Sequence, residues 1–286
     1  MNFSVVENIK SITDSNLFFY RSSHYFEKYA ELHTLEQFRE YCNWAKSKNV
    51  KIYILGNGSN TLFANKNIKS LILKNQMNKH LQPLPDNRLE VCSSVFLIDV
   101  LKYCYENSFD SFYYLGSVPA TIGGALAMNA GRGRQHQCTI YDFVESVTFF
   151  DFESNTIKTL GRENIVKGYR ETVFPGIHSC LILSAIFKFN QVTIEKNPIA
   201  ERCKWSKKFQ DNSAPNCGSV FKVADHRILN RLKGLKIGKA SFSSKTYNWI
   251  LNKSVDSKSI LILIKIAKFL HLINGKKAEL ELITVD

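Results

Sequence analysis

The chain has 286 residues, 44% hydrophobic and 22% charged, which fits two or three globular domains with cores large enough to stand without disulfides. Lys and Arg number 38 against 25 Asp and Glu, a formal net charge of +13, and such a balance favours anionic partners: nucleic acid, a membrane surface or a multiply charged small molecule all qualify on charge alone. The seven cysteines (Cys42, Cys92, Cys104, Cys138, Cys180, Cys203 and Cys217) are odd in number and form no CxxC pair, which argues against a disulfide framework or a cysteine zinc site and suits a reducing compartment.

The N-terminal stretch MNFSVVENIKSITD lacks the charged and apolar blocks of a signal peptide. Thr34 followed by Gln37 makes a capping box ahead of an apolar stripe at Phe38, Cys42 and Ala45, which predicts a helix. A strand follows at 51–55 (KIYIL) and runs directly into GNGSN. Further strands are expected at 68–75 and around Val91, and a helix at 97–107. Residues 116–133, rich in Gly, Ala and Asn, read as one long loop. Strands are expected again at 144–151 and 180–189. After Asn190 the chain turns polar and basic, which suggests a domain boundary. The last third holds a short strand at SVFK, a polar segment to Asn252, and a strong helix from about Asp256 that stops at Asn274 and Gly275. A final alternating strand, AELELITV, places Glu279 and Glu281 on one face, opposite Leu280 and Leu282. The longest apolar run, 260–264, is far too short to span a bilayer. The basic residues are spread along the chain with no arginine-rich tail. The free thiols, the N-terminal stretch and the short apolar run lead to the expectation of a cytoplasmic protein, and a monomer with neither nucleic-acid nor membrane partner is expected.

Several segments carry chemistry. In Gly56-Asn57-Gly58-Ser59-Asn60-Thr61, glycines let backbone N–H groups approach a phosphate, and Ser59 and Asn60 add donors; an ordinary tight turn is the plain alternative. The spacing is not GxGxxG, so a Rossmann dinucleotide fold is not indicated. The run from Gly116 through Ser117, Val118, Pro119, Ala120, Thr121, Gly123, Gly124 and Ala125 to Asn129 has mostly small residues and a stiffening proline. It could lie as a ribbon of N–H groups against a flat ring and its pyrophosphate, or be a buried loop between sheets. Tyr169-Arg170 offers a guanidinium fork suited to a carboxylate, or a surface arginine on a turn. Gly218-Ser219 could present a hydroxyl at a strand start; it lacks a G-x-S-x-G frame, so a hydrolase nucleophile is not indicated.

Together these segments resemble the UDP-N-acetylenolpyruvoylglucosamine reductase (UDP-N-acetylmuramate dehydrogenase) family, in order and spacing, across nearly the whole chain. ILGNGSNTLF is similar to the family's first flavin loop, usually GGGSN, and GSVPATIGGALAMNAG to its second. GYRETVF, FQDNSAPNCGSVFK and LKGLKIGKASFSSKTYNWILN resemble its later segments. The resemblance implies an α+β chain: a two-lobed α/β FAD-binding domain of the PCMH/VAO-like kind at 1–190, with lobes about 1–75 and 76–190, and a C-terminal α+β substrate-binding domain at 191–286. It implies FAD and NADPH as cofactors, no metal, and a nucleotide-sugar substrate in peptidoglycan precursor synthesis. Arg170 and Glu281 carry over as residues that stabilise an enolate, and Ser219 as the acid that protonates its carbon. Tyr169, Gln210, Asn216, Lys222 and Lys245 carry over as substrate-binding.

Departures from the family pattern are Asn57 and Ala120 for glycines, Asp211 for a proline, Val223-Ala224 for Asn-Pro, and Thr246 for a histidine. They leave open a paralogue acting on another nucleotide-sugar, or a flavoprotein without turnover. Two further alternatives are a covalent flavin, with His136 and Cys138 just beyond the second loop, and a basic nucleic-acid-binding protein, though no recognition motif with interleaved aromatics is present.

Overall fold

The computed structural model describes residues 5–174 and 180–286. Contact density divides the chain into two units. The first comprises Met1–Lys10, Tyr29–Asn57 and Leu71–Lys204, and the second Ser11–Lys28, Gly58–Ser70 and Trp205–Asp286. These units cut the chain along different lines from a boundary at 190/191. Residues just past 190 stay with the first unit because Ile199 packs on its main core and Cys203 Sγ lies 3.8 Å from Gly116 O.

In the first unit, five antiparallel strands run in the order Leu81–Leu84, Arg88–Cys92, Cys180–Lys188, Val144–Asp151 and Thr156–Gly161. Helix Leu97–Glu106 buries Leu97, Val100, Leu101 and Cys104 against this sheet's core, which also holds Phe112, Phe187 and Phe189. A second core forms under helix Leu35–Ser47, where Phe38, Tyr41, Cys42 and Ala45 meet Leu71, Leu73 and Phe150. The Thr34–Gln37 capping box is formed, as the sequence predicts. Strand Ile52–Leu55 pairs in parallel with residues 71–74, so the chain leaves its C-terminal end directly into Gly56.

In the second unit, strands Lys236–Ile237, Ala240–Phe242 and Ile250–Asn252 form an antiparallel sheet. Helix Lys258–Ile273 packs on it through Ile260, Leu263, Ile264 and Ala267. His271, fully buried, fixes the roll of that helix: Nδ1–H donates to Ala267 O at 2.7 Å while Nε2 accepts from Asp225 N–H at 2.9 Å.

Two expectations are corrected and one unpredicted helix is added. The 116–133 stretch is not all loop, because helix Ile122–Ala127 forms inside it. Thr121 caps its N-terminus by accepting from Gly124 N–H, and its small residues allow the backbone to pack closely. The polar stretch after Asn190 contains helix Pro198–Phe209, started by Asn197 Oδ1 accepting from Ala200 N–H with Pro198 at the first turn. Its core-facing stripe is too weak to be read as a period, since Ser206 is its one buried residue. The terminal strand is broken: Glu279–Leu280 pairs with Phe221–Val223, whereas Ile283–Val285 pairs in parallel with Thr61–Phe63. Alternation cannot run through a change of partner, so Glu279 and Glu281 do not share the face of one strand.

Candidate active site

The first unit gathers two of the predicted loops. Asn57 Nδ2 donates to Pro119 O at 2.7 Å. A Cβ at Gly56 would meet Thr121 Oγ1 at 2.7 Å, and one at Gly123 would meet Ser93 Cβ at 2.9 Å. These two glycines are therefore required by protein packing itself, and Gly123 N–H donates to Ser93 O at 2.8 Å. Gly124 differs, since its nearest neighbour to a Cβ is Thr121 Oγ1 at 3.4 Å; protein contact does not demand a glycine there, but close approach of a ligand would. Ser117 and Val118 are half-buried, Pro119 is exposed, and Ala120 and Ala125 are buried.

Two residues missed in the sequence support these loops. Lys74 Nζ donates to Gly56 O at 2.5 Å, and burial, with Lys79 adding to it, lowers the Lys74 pKa. Asn75 Nδ2 donates to Ser93 Oγ at 3.0 Å behind Gly123. The available signal was a polar Lys-Asn pair directly after the apolar run 71–73, which periodicity assigns merely to the strand end.

At the end of the second loop, Asn129 is 3% exposed and has a left-handed φ of 43°. Its Nδ2 donates to Gly168 O at 2.9 Å, but its Oδ1 is buried without a hydrogen-bond partner. Buried acceptors are rarely left so, and an orphan of this kind points to a donor supplied by a ligand. Arg170, also left-handed at φ 60°, donates from Nη1 to Asn129 O at 2.8 Å and from Nη2 to Gly131 O at 2.7 Å. The Tyr169 ring lies 4.8 Å from the guanidinium. These two carbonyls orient the guanidinium on the loop.

The second unit links Asn60 and Glu281 in one set of hydrogen bonds that reaches Val220, next to Ser219 in sequence. Glu281 N–H donates to Val220 O, the residue after Ser219, at 2.8 Å, and Asn60 Nδ2 donates to Glu281 O at 2.9 Å. Ile283 N–H then donates to Asn60 O at 3.0 Å. Ser219 itself bridges to Trp249, and Val220 N–H donates to Asn248 O at 2.9 Å. Gly58 of the first loop, at φ 70°, lies against Leu17 and Phe18, where a Cβ would fall 2.3 Å from Leu17 O; Ser59 is half-buried and Thr61 begins the parallel strand.

Of the two glutamates, Glu279 is committed to Lys277 and, at 3.7 Å, to Lys222; the Lys277 hydrogen bond and the two cations hold its carboxyl below the usual range. Lys222, expected to bind substrate, is thus ion-paired. Asn216 is tied into its own turn, donating to Ala214 O at 3.0 Å and accepting from Gly218 N–H at 3.1 Å. Gln210 Oε1 accepts from Ser206, and Lys245 Nζ donates to Gln210 O at 2.9 Å and Lys207 O at 3.1 Å, capping the helix that ends at Phe209. No group of His, Cys, Asp and Glu among the described residues could hold a metal.

A family profile described as an FAD binding domain matches residues 27–161. A reductase of Aquifex aeolicus named UDP-N-acetylenolpyruvoylglucosamine reductase is 29% identical over 256 residues, 84% of this chain and 82% of that protein. One of the same name from Francisella tularensis is 31% identical over 230 residues, covering 76% of this chain and 80% of its own length. The solved structure of UDP-N-acetylenolpyruvylglucosamine reductase from Thermus caldophilus has a TM-score of 0.78 over 97% of this chain and 99% of that one, at 20% identity, which shows the shared α+β fold.

Proposed function

The chain belongs to the UDP-N-acetylenolpyruvoylglucosamine reductase family, and from that premise we propose that it reduces UDP-N-acetylglucosamine enolpyruvate to UDP-N-acetylmuramate with bound FAD and NADPH, a step of peptidoglycan precursor synthesis. The observation that carries this reading is the joining of the two glycine loops through Asn57 and Pro119, with the unpartnered Asn129 Oδ1 at the end of the second. The residues fit FAD: its ring system has an N–H that such an acceptor requires, and Gly124 leaves room for close approach. Gly56, Asn57, Gly58, Ser59, Asn60, Thr61 and the 117–129 ribbon are proposed to hold it, within the division 1–190 for FAD and 191–286 for substrate.

When bound, FAD supplies hydride transfer, from NADPH to the terminal carbon of the substrate's alkene. That addition leaves negative charge spread onto the substrate carboxylate. Arg170, oriented by the two loop carbonyls, is proposed to stabilise it. Glu281 is proposed to stabilise the same intermediate, the role the resemblance implies for it. Ser219 is proposed to give its proton to the neighbouring carbon; a serine is a poor acid in water and needs local donors or a cation, of which Lys222 is the nearest in sequence. Gln210, Asn216 and Lys245 are proposed to act in substrate binding by holding the Ser219 segment and the adjoining helix end.

Separated half-reactions test the assignment. Ser219→Ala is expected to keep NADPH-driven bleaching of the flavin band while lowering product formation by about a thousandfold, in line with loss of an acid in the transition state. Equal loss of both halves overturns the role of Ser219. A purified protein that is colourless and takes up no added FAD overturns the whole reading.

A further inference from the structure

Helix Lys258–Ile273 is apolar on both faces. Its inner face is the packed one already described. On its outer face Ile262 is 44% exposed, Phe269 59%, Leu272 73% and Ile273 60%. Lys258, Ile262, Lys265, Phe269, Leu272 and Lys276 recur at spacings of three and four, which places them along one stripe of the helix and its exit. Large exposed apolar side chains in a row mark an interaction surface more often than a tolerated accident.

The charge around the stripe indicates what covers it. Residues 226–278 contain twelve Lys and Arg and one acid, Asp256, so this segment holds eleven of the chain's thirteen net positive charges. Basic residues occur throughout the sequence; the acids are what this segment lacks. Helix His226–Arg231 and strands Lys236–Ile237 and Ala240–Phe242, which pack against the helix, and their connections bring exposed Arg227, Arg231, Lys233, Lys236 and Lys239 against a single acid, Asp225, whose carboxylate is taken up in capping helix His226–Arg231. A second copy related by a two-fold axis would set these lysines against their own counterparts. Duplex nucleic acid would satisfy the lysines but not the phenylalanine and aliphatic side chains. An anionic bilayer satisfies both: headgroups pair with the lysines, and the apolar stripe enters the acyl boundary.

Against the expectation of no membrane partner, we propose that the outer face of helix Lys258–Ile273 docks this protein, peripherally and reversibly, on the surface of an anionic lipid bilayer. The helix is about 24 Å long at 1.5 Å per residue and lies in the interface plane; no helix among the described residues is long and apolar enough to cross a membrane.

Sedimentation with unilamellar vesicles tests this, using the full chain loaded with FAD. Binding is expected to vesicles containing phosphatidylglycerol, to be at least about tenfold weaker on phosphatidylcholine alone, and to weaken with salt. Phe269→Glu with Leu272→Glu should cut binding about tenfold, and Lys265→Gln with Lys268→Gln should cut the phosphatidylglycerol-dependent part, both with an unchanged flavin spectrum and an unchanged turnover at saturating NADPH and substrate. Absence of binding to anionic vesicles overturns the proposal. So does binding that ignores Phe269→Glu with Leu272→Glu, which makes the attraction purely ionic. A dimer in light scattering that the same variant disperses assigns the face to self-association instead, and a gel shift of duplex DNA without vesicle binding assigns the charge to nucleic acid; either overturns the bilayer reading.

Discussion

Asn57 stands where the family's first flavin loop has a glycine, yet its φ is not in the left-handed region, so a side chain costs nothing in backbone strain there. Its amide instead gains the bond to Pro119 that joins the loops. Ala120 is accommodated for the same backbone reason. Removing that amide in Asn57→Ala should loosen the second loop by about 1 kcal/mol, a typical net value for one hydrogen bond. The expected outcome is an FAD dissociation constant raised about fivefold, read by flavin fluorescence on reconstitution; an unchanged constant means the loops are held elsewhere.

Asp211 and Thr246 depart from the pattern together, and the structure links them. Asp211 N–H donates to Thr246 Oγ1 at 3.0 Å, a bond that a proline at 211 cannot make. The Asp211 carboxylate accepts from Ser243 Oγ at 2.6 Å and from Ser213 Oγ at 2.6 Å. Partial burial acts to raise its pKa, but the Ser213 and Ser243 hydrogen bonds and the charge of Lys245 outweigh it and hold the carboxyl below the ordinary carboxylate range. A depressed folded pKa contributes stability that is present above the unfolded value, about 4, and is lost as the pH falls through the folded value. Asp211→Asn should therefore flatten the acid limb of urea-midpoint measurements between about pH 5 and pH 2, and leave the neutral-pH midpoint lower than that of the parent. Nothing in the structure explains Val223-Ala224 in place of Asn-Pro.

At the scale of elements, the break at Glu281 comes where the final segment bonds to Val220, the residue after Ser219. The final segment leaves the Phe221–Val223 strand, hands Glu281 N–H to Val220 O, and re-enters pairing beside Thr61–Phe63. Asn60 closes that exchange through its side chain. Asn60→Ala should lower the melting temperature by about 2 °C, the size expected for one lost hydrogen bond in a chain of this length, and should reduce kcat more than the substrate KM, since the displaced group is Glu281. A fall confined to FAD affinity would instead assign Asn60 to the cofactor alone.

The same elements show what a sequence can and cannot disclose. Strands such as Ile52–Leu55 and Val144–Asp151 and helices such as Leu35–Ser47 were legible because periodicity and capping are local. Helix Ile122–Ala127 was hidden because glycine and alanine carry no period and serve here for close contact with Ser93 and Thr121. The break at Glu281 was hidden because it depends on which distant strands the chain meets. For the candidate site, residue types and order were legible, whereas the capping by Lys245, the Lys222–Glu279 pair and the orphaned Asn129 Oδ1 are properties of tertiary contact.

For the whole molecule, charge is the property with the longest reach. Residues 226–278 hold most of the net positive charge and the remainder of the chain is close to neutral, so the field felt by an approaching anion is that of one segment rather than of a uniform sphere. NADPH and a UDP-sugar both carry several negative charges. Their encounter rates should then fall as added salt shortens the screening length, from about 10 Å at 0.1 M to about 3 Å at 1 M. Stopped-flow bleaching of the flavin by NADPH is expected to lose several-fold in its bimolecular rate between about 0.05 and 0.5 M NaCl, with the limiting rate at saturating NADPH unchanged because that rate follows the encounter that salt screens. The exposed Lys265 and Lys268 separate the two uses of this charge. If the field steers ligands as a whole, Lys265→Gln with Lys268→Gln reduces the salt slope in proportion to the charge removed. If those lysines act solely where they touch a bilayer, the salt slope of the NADPH reaction is the same in the variant and the parent, and ligand steering belongs to the remaining basic residues of the segment.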